Sequence, residues 1–141
     1  MSDQISRPVP LPDDTSRFFW DGAAAGRLLV QRCDACETYQ YPPDVVCITC
    51  QSLTLTPTEV AGRATLYSFI EMERAFHAGF VPYLPLVLAL VDLDEQPGLR
   101  MLTNIVDVGD VALEIGMALE VTYEQRGDIV LPQFKPAGVA R

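Results

Sequence analysis

Two Cys-x-x-Cys pairs, Cys33/Cys36 and Cys47/Cys50, are separated by ten residues and use every cysteine in the chain. Zinc takes four ligands in a tetrahedron, and each Cys-x-x-Cys knuckle presents two thiolates from one tight turn. The intervening loop can fold back as a small hairpin and bring the two pairs together. No thiol is left over, so the site reads as closed and structural, with no position kept for a reacting water. Buried free thiols or a redox pair are the alternatives, but a double knuckle at this spacing favours metal. One feature departs from the usual pattern. Glu37 and Gln51, which follow the knuckles, occupy places where such a turn favours glycine.

A chain of 141 residues, 49% of them apolar and 21% charged, suits one compact domain or two small modules sharing a core. Residues 1–12 hold three prolines and little apolar periodicity, which predicts an extended, loosely held arm. A helix is expected to begin near Asp13–Thr15, where a capping side chain precedes Arg17-Phe18-Phe19-Trp20. Gly22 and Gly26 bracket an alanine run and weaken it. Tyr41-Pro42-Pro43, between the cysteine pairs, favours a rigid extended turn.

From Glu59 onward the pattern is that of strands. Arg63–Ile70 alternates, Leu86–Leu93 is a continuous apolar run of strand length, and Asp94–Gly98 turns it into Leu99–Val106. Val111–Ile115 reads as a single helical turn closed by a left-handed Gly116. Leu119–Tyr123 and Ile129–Leu131 follow, joined through Arg126-Gly127-Asp128. Five strands with one short helical insert make an OB-type barrel. The expected fold is therefore mainly β. Residues 1–28 form the arm and helix, 29–58 the zinc ribbon, 59–135 a five-stranded OB-fold barrel and 136–141 a tail.

Nineteen acidic residues against ten basic ones give a formal net charge of −9, and Lys135 is the only lysine. The arginines are scattered. Nucleic-acid affinity rests mainly on neutralising phosphates, so this balance argues against that class of partner. Tyr67 and Phe69 lie two apart on one strand, with Leu66 and Ile70 opposite, so one pair or the other is expected to be core. A single-strand stacking platform would need such aromatics exposed beside a basic groove. Met1–Asp14 does not read as a secretory or transit segment, and the longest apolar run, Leu84–Val91, is too short to cross a bilayer. A cytoplasmic protein without membrane contact is expected. Gly-x-Ser-x-Gly and Gly-Lys-Ser/Thr motifs are missing, so no catalytic residue is assigned. Asp92, Asp94, Glu95, Asp107 and Asp110 read as turn and strand-end solvation.

Taken together, Phe19-Trp20, Gln31–Cys36, Gln40–Pro43, Cys47–Cys50, Pro82-Tyr83, Leu86–Asp92 and Ile115–Val121 resemble the DUF35 family, OB-fold proteins with a rubredoxin-like zinc ribbon. The likeness covers about residues 15–135. Glu37 and Gln51 depart from it, because the family's knuckles usually carry glycine there. The resemblance implies an accessory subunit, non-catalytic or co-catalytic. Such a subunit would form a hetero-oligomer with a thiolase-like, hydratase-like or aldolase enzyme and help bind or channel acyl-CoA. Two other functions stand beside this one: a single-stranded nucleic-acid binder and a purely structural assembly module. An OB barrel alone does not choose between them.

The segment Glu73–Tyr83 joins the first two barrel strands, and OB-fold loops at this place commonly meet ligands. Arg74 could pair with a CoA phosphate, and Phe76, Phe80 and Tyr83 could line an acyl or pantetheine channel. The same aromatics could instead seal the barrel or pack against a partner. His77, the sole histidine, reads as a loop hydrogen-bonding residue before a general base.

Overall fold

The computed structural model describes residues 5–138. Helix α1 spans Arg17–Ala24. Its start is set by a reciprocal pair: Asp13 Oδ1 accepts from the Ser16 amide at 2.8 Å, and Ser16 Oγ accepts from the Asp13 amide at 3.1 Å. That exchange occupies the Asp13 and Ser16 amides in the turn that leads into the helix. At the other end Gly26 takes φ +73°, with Arg27 N–H donating to Gly22 O and Gly26 N–H to Ala23 O. This is the Schellman arrangement. Phe19, Gly22 and Ala23, spaced by three and four, form the buried stripe. A side chain at Gly22 would strike Leu29 at 2.8 Å, so the glycine lets the helix lie close to the first strand.

A three-stranded antiparallel sheet follows, in the order β2-β1-β3. Its members are β1 Leu29–Cys33, β2 Tyr39–Gln40 and β3 Leu55–Glu59. β3 is not apparent in the sequence pattern because Pro57 interrupts it. The strand lies at the sheet edge, where a missing N–H costs no ladder bond. The outer edge of β2 is closed from the barrel side, as Gln96 exchanges two hydrogen bonds of 2.9 and 3.0 Å with the Tyr39 backbone.

The second sheet has the order β6-β5-β4-β7-β8. Its strands are β4 Arg63–Met72, β5 Leu86–Leu93, β6 Arg100–Asn104, β7 Ala118–Arg126 and β8 Ile129–Pro136, all antiparallel within the sheet. A parallel bridge from Ile105 to Phe134, with Val106 N–H donating to Phe134 O at 2.9 Å, brings β8 back beside β6 and nearly closes the barrel. Leu66, Val91, Leu93, Met101, Leu119 and Phe134 fill it. Phe19, Leu28 and Val30 belong to the same apolar cluster. Helix, ribbon and barrel therefore share one core.

Three expectations are corrected. Residues 111–115 form no helical turn. The backbone beside them is claimed by β4, with Gly116 N–H donating to Leu66 O at 2.8 Å and Leu66 N–H to Met117 O at 3.0 Å. The helical insert is a 3-10 helix over Ala78–Tyr83, between the first and second barrel strands. A β-bulge between Leu66 and Ser68 breaks the two-residue alternation of β4. As a result Leu66 is buried and Phe69 packs on the core, while Tyr67 and Ile70 face outward. Neither sequence pair is core as a pair. The arm over residues 5–12 is held as well: the Ser6–Arg7 backbone lies so close to Gly79 that a Cβ there would meet it at 2.6–2.8 Å. Residues 1–4 and 139–141 lie outside the described part. No helix among the described residues is long and apolar enough to cross a membrane.

Gly62 turns the chain from β3 into β4 at φ +79°, a conformation that disfavours a side chain, and a Cβ there would collide with Val121. Gly62→Ala is expected to cost about 2–4 kcal/mol, combining left-handed strain with overpacking. Chemical denaturation of the zinc-loaded protein checks this; a loss under about 0.5 kcal/mol would mean that the corner relaxes freely.

Candidate metal centre and ligand cavity

The first knuckle follows directly from strand pairing. β1 ends at Cys33 and β2 begins at Tyr39, and Cys33 N–H donates to Thr38 O at 3.0 Å across the turn. Glu37 N–H then closes the knuckle onto Cys33 O at 2.8 Å. The second knuckle repeats the motif, with Cys47 N–H donating to Ser52 O at 2.8 Å and Gln51 N–H to Cys47 O at 2.9 Å. Both residues that stand where glycine is usual, Glu37 and Gln51, sit at φ +63°. The preference visible in the sequence thus marks a left-handed backbone position. The side chains tolerate it at some cost.

All four sulfurs lie within 4.8 Å of one another, and the Cys33–Cys50 and Cys36–Cys47 pairs are 3.6 Å apart. A tetrahedron with zinc–sulfur bonds of 2.3 Å has edges of about 3.8 Å, so the spacing fits the ion. A disulfide would need far shorter separations. The local charges agree. The Cys36 amide favours the Cys33 thiolate and lowers that thiol to about 6, and the Cys50 amide lowers Cys47. Cys50 is favoured as thiolate by the Ser52 amide, but desolvation and the three other sulfurs outweigh this and push it to about 12. Four thiolates cannot share this space without a cation, and a dication removes the repulsion outright. The donor set, with no open position, is that of a structural zinc.

The segment singled out for ligand contact folds into two parts. Glu73–His77 is irregular, and His77 caps the 3-10 helix by accepting from the Gly79 amide through Nδ1 at 3.0 Å. Phe76 is 90% exposed. Phe76, His77 and Phe80 line a cavity of about 270 Å³ together with Met72, Leu88 and Arg126. Tyr83 lies outside that lining, on the wall of a neighbouring cleft of about 720 Å³. Arg74 is exposed and lines neither.

The cation that does reach the cavity is one the sequence reading missed. Arg126 and Arg7 both bind Glu124, at 2.6 and 3.3 Å, and each guanidinium side chain is only 13% exposed. The Glu124 carboxylate thus lies between two guanidiniums, and Arg126 Nε has no protein partner. Arg7 stacks on Tyr83 at 3.6 Å, and Arg126 stands 5.9 Å over Phe80. Arg126 sits in a turn sequence and Arg7 in a proline-rich arm, so neither carried a local signal; only the strand pairing of β7 and the docked arm bring them together. The aromatics of β4 offer no stacking platform. Phe69 is turned inward, and Tyr67 is covered by Arg100 at 3.5 Å, itself held by Asp92 at 2.7 and 3.1 Å.

A four-cysteine ribbon fused through a common core to an OB-type barrel defines the class. Family descriptions match both parts: the rubredoxin-like zinc ribbon domain of ChsH2 over residues 20–56, and the C-terminal OB-fold domain of ChsH2 over 57–124. A solved structure described as an Ltp2-ChsH2(DUF35) aldolase is 35% identical, with a TM-score of 0.80, over 92% of this chain and 99% of that one. The chain belongs to the ChsH2 group of the DUF35 family. A DUF35 protein of unknown function from Sulfolobus solfataricus, 14% identical with a TM-score of 0.63 over 87% of this chain and 85% of that one, shares the fold. Two curated relatives are 36% and 33% identical over 93% and 95% of this chain. They are a probable enoyl-CoA hydratase alpha subunit of Thermomonospora curvata and the 3-oxo-4,17-pregnadiene-20-carboxyl-CoA hydratase alpha subunit of Mycobacterium tuberculosis. The chain spans 40% and 41% of their lengths.

Zinc binding must displace the proton from Cys50, whose thiol lies at about 12 in the metal-free cluster. Adding zinc to the metal-free protein at pH 7 is therefore expected to release protons. Acidification is expected to reverse the process, with metal loss followed by a zinc indicator; release that does not respond to pH would contradict thiolate ligation. Glu37→Gly and Gln51→Gly are each expected to stabilise the loaded protein by about 0.5–1 kcal/mol, since glycine removes left-handed strain but frees the unfolded chain. Loss of the exposed Arg32–Glu37 pair, at 3.8 Å, should matter little. Melting temperatures of the two variants test the sign.

Proposed function

We propose that this chain is a non-catalytic or co-catalytic accessory subunit that binds acyl-CoA thioesters and forms a hetero-oligomer with a hydratase-like, aldolase or thiolase-like enzyme acting on them. The observation that carries this reading is the correspondence, over 92% of this chain, with a protein named for two components, Ltp2 and ChsH2(DUF35), and described as an aldolase. The relatives named as hydratase alpha subunits support the same class of partner.

The cavity beside the 3-10 helix is the place proposed for the ligand. The cavity beside Phe76, His77 and Phe80 is mostly apolar and has the Arg126 guanidinium in its wall, so a chain with an apolar body and a polar or anionic end suits it. Arg74, exposed on the same segment, is the residue proposed to meet the CoA phosphates, and Tyr83 the one to border the path from the adjoining cleft. Phe76 and Val81, 90% and 58% exposed, give the partner enzyme an apolar surface to cover. The ribbon over 29–58 and the barrel over 59–135 would then work as one rigid body.

Co-expression with a neighbouring CoA-ester enzyme, followed by affinity capture and mass analysis, is expected to return a stable complex that binds a CoA ester in calorimetry. Phe80→Ala should weaken that binding about tenfold or more, from lost apolar burial of about 1.5–3 kcal/mol. Arg74→Ala should weaken it and make it less sensitive to salt. A complex that forms but ignores CoA esters would leave a purely structural assembly module. Steeply salt-dependent oligonucleotide binding would point to the nucleic-acid alternative.

A further inference from the structure

The two knuckles of the metal site are built by different means. The first is the turn of the β1–β2 hairpin. The second, Cys47–Cys50, follows residues 41–46, which carry no strand. Its approach is fastened instead by two buried glutamine side chains that face each other in register across β1 and β2. Gln31 exchanges both its amide groups with the Asp44 backbone: Oε1 accepts from the amide at 2.9 Å and Nε2 donates to the carbonyl at 2.8 Å. Gln40 does the same one step nearer the metal. Its Oε1 accepts from the Ile48 amide at 3.0 Å and its Nε2 donates to Val46 O at 3.2 Å, so its two bonds bracket Cys47. Gln40 Nε2 also donates to Gln31 Oε1 at 3.0 Å.

Each bond has a donor facing an acceptor, and flipping either amide would set N–H against N–H or oxygen against oxygen. The orientation is therefore fixed by the network itself. Gln31 is 7% and Gln40 2% exposed, so water does not compete for these groups and a lost partner leaves a buried backbone group unpaired.

We propose that Gln40, backed by Gln31, is a positioning residue for the zinc. It acts as a substitute β-strand that holds Cys47 and its knuckle at ligand distance from Cys33 and Cys36. Neither glutamine touches the ion. Their chemistry, a primary amide with one donor face and one acceptor face, is what pairs with a peptide unit in both directions. Aliphatic or carboxylate side chains of similar length cannot do this. This role does not depend on the acyl-CoA reading.

The test compares Gln40→Met with Val30→Ala, a substitution in the shared core that leaves the knuckle bonds alone. Both are made in the full chain and measured for zinc affinity by chelator competition, for zinc release rate and for the cobalt(II) absorption spectrum. Gln40→Met is expected to weaken zinc by about 10–100-fold, as loss of groups that orient ligands does elsewhere. It should also speed release and shift the cobalt bands. Val30→Ala should lower stability while leaving zinc affinity and the bands close to the parent's. The proposal is overturned if Gln40→Met holds zinc within about threefold of the parent, or loses no more affinity than Val30→Ala. Should Gln40→Met not be obtained folded, Gln31→Met is judged by the same measurements and thresholds.

Discussion

Four sulfurs crowded within 4.8 Å of each other are unstable as thiolates and become stable only around a cation. That constraint sets much of the remaining architecture. Three strands, one of them two residues long, cannot bury enough surface to fold independently, so the ribbon draws on two outside sources of order. One is the metal, which ties the Cys33 and Cys47 turns into a single unit. The other is the barrel, whose interior extends through Leu28 and Val30 to Phe19 of the helix. Gln96 reaches across from the β5–β6 turn to occupy the free edge of β2. The result is a small module rigid at both ends, one held by metal and the other by packing.

Side-chain amides serve the ribbon repeatedly, two buried within it and a third, half-buried, reaching it from the barrel. Gln31, Gln40 and Gln96 each pair with a backbone peptide unit in both directions, at three places where no strand is available. Side-chain amides are costly to bury unless fully bonded, and here they are. The device lets an irregular loop carry two metal ligands with the accuracy of a sheet. It also accounts for polar residues at positions where a short strand would ordinarily place an aliphatic side chain.

The barrel departs from regularity on the face that carries the cavity. The bulge at Tyr67 turns Phe69 inward and leaves Tyr67 to be covered by Arg100. The 3-10 helix places Phe80 beside a cavity whose cation comes from the end of β7, more than forty residues later in the chain. Arg7, brought in by the arm, shares Glu124 with that cation and stacks on Tyr83. A docked arm, a strand end and a loop thus meet at one place. Glu71 and Asp107 line the same cleft, so its two arginines are offset by acidic side chains in a chain whose net charge is −9.

Sequence alone determined the features that depend on near neighbours. The cysteine spacing specified the metal site and the residues that hold it, because each knuckle is a local turn. A capping side chain at Asp13–Thr15 marked the start of the helix, and the apolar run Leu86–Leu93 with its turn specified a hairpin. Glu37 and Gln51 showed where the backbone would be left-handed. Tertiary structure decided what depends on distant partners. β3 exists because β1 offers it an edge. The 111–115 segment stays irregular because β4 takes its flanking hydrogen bonds. Leu66 and Phe69 share the core because a bulge resets the alternation. Arg7 and Arg126 converge only once the barrel has closed. Hydrogen-bond partners and charges separated by a hundred residues leave no periodic trace along the chain, since their pairing is set by how the strands are ordered rather than by which residues adjoin them.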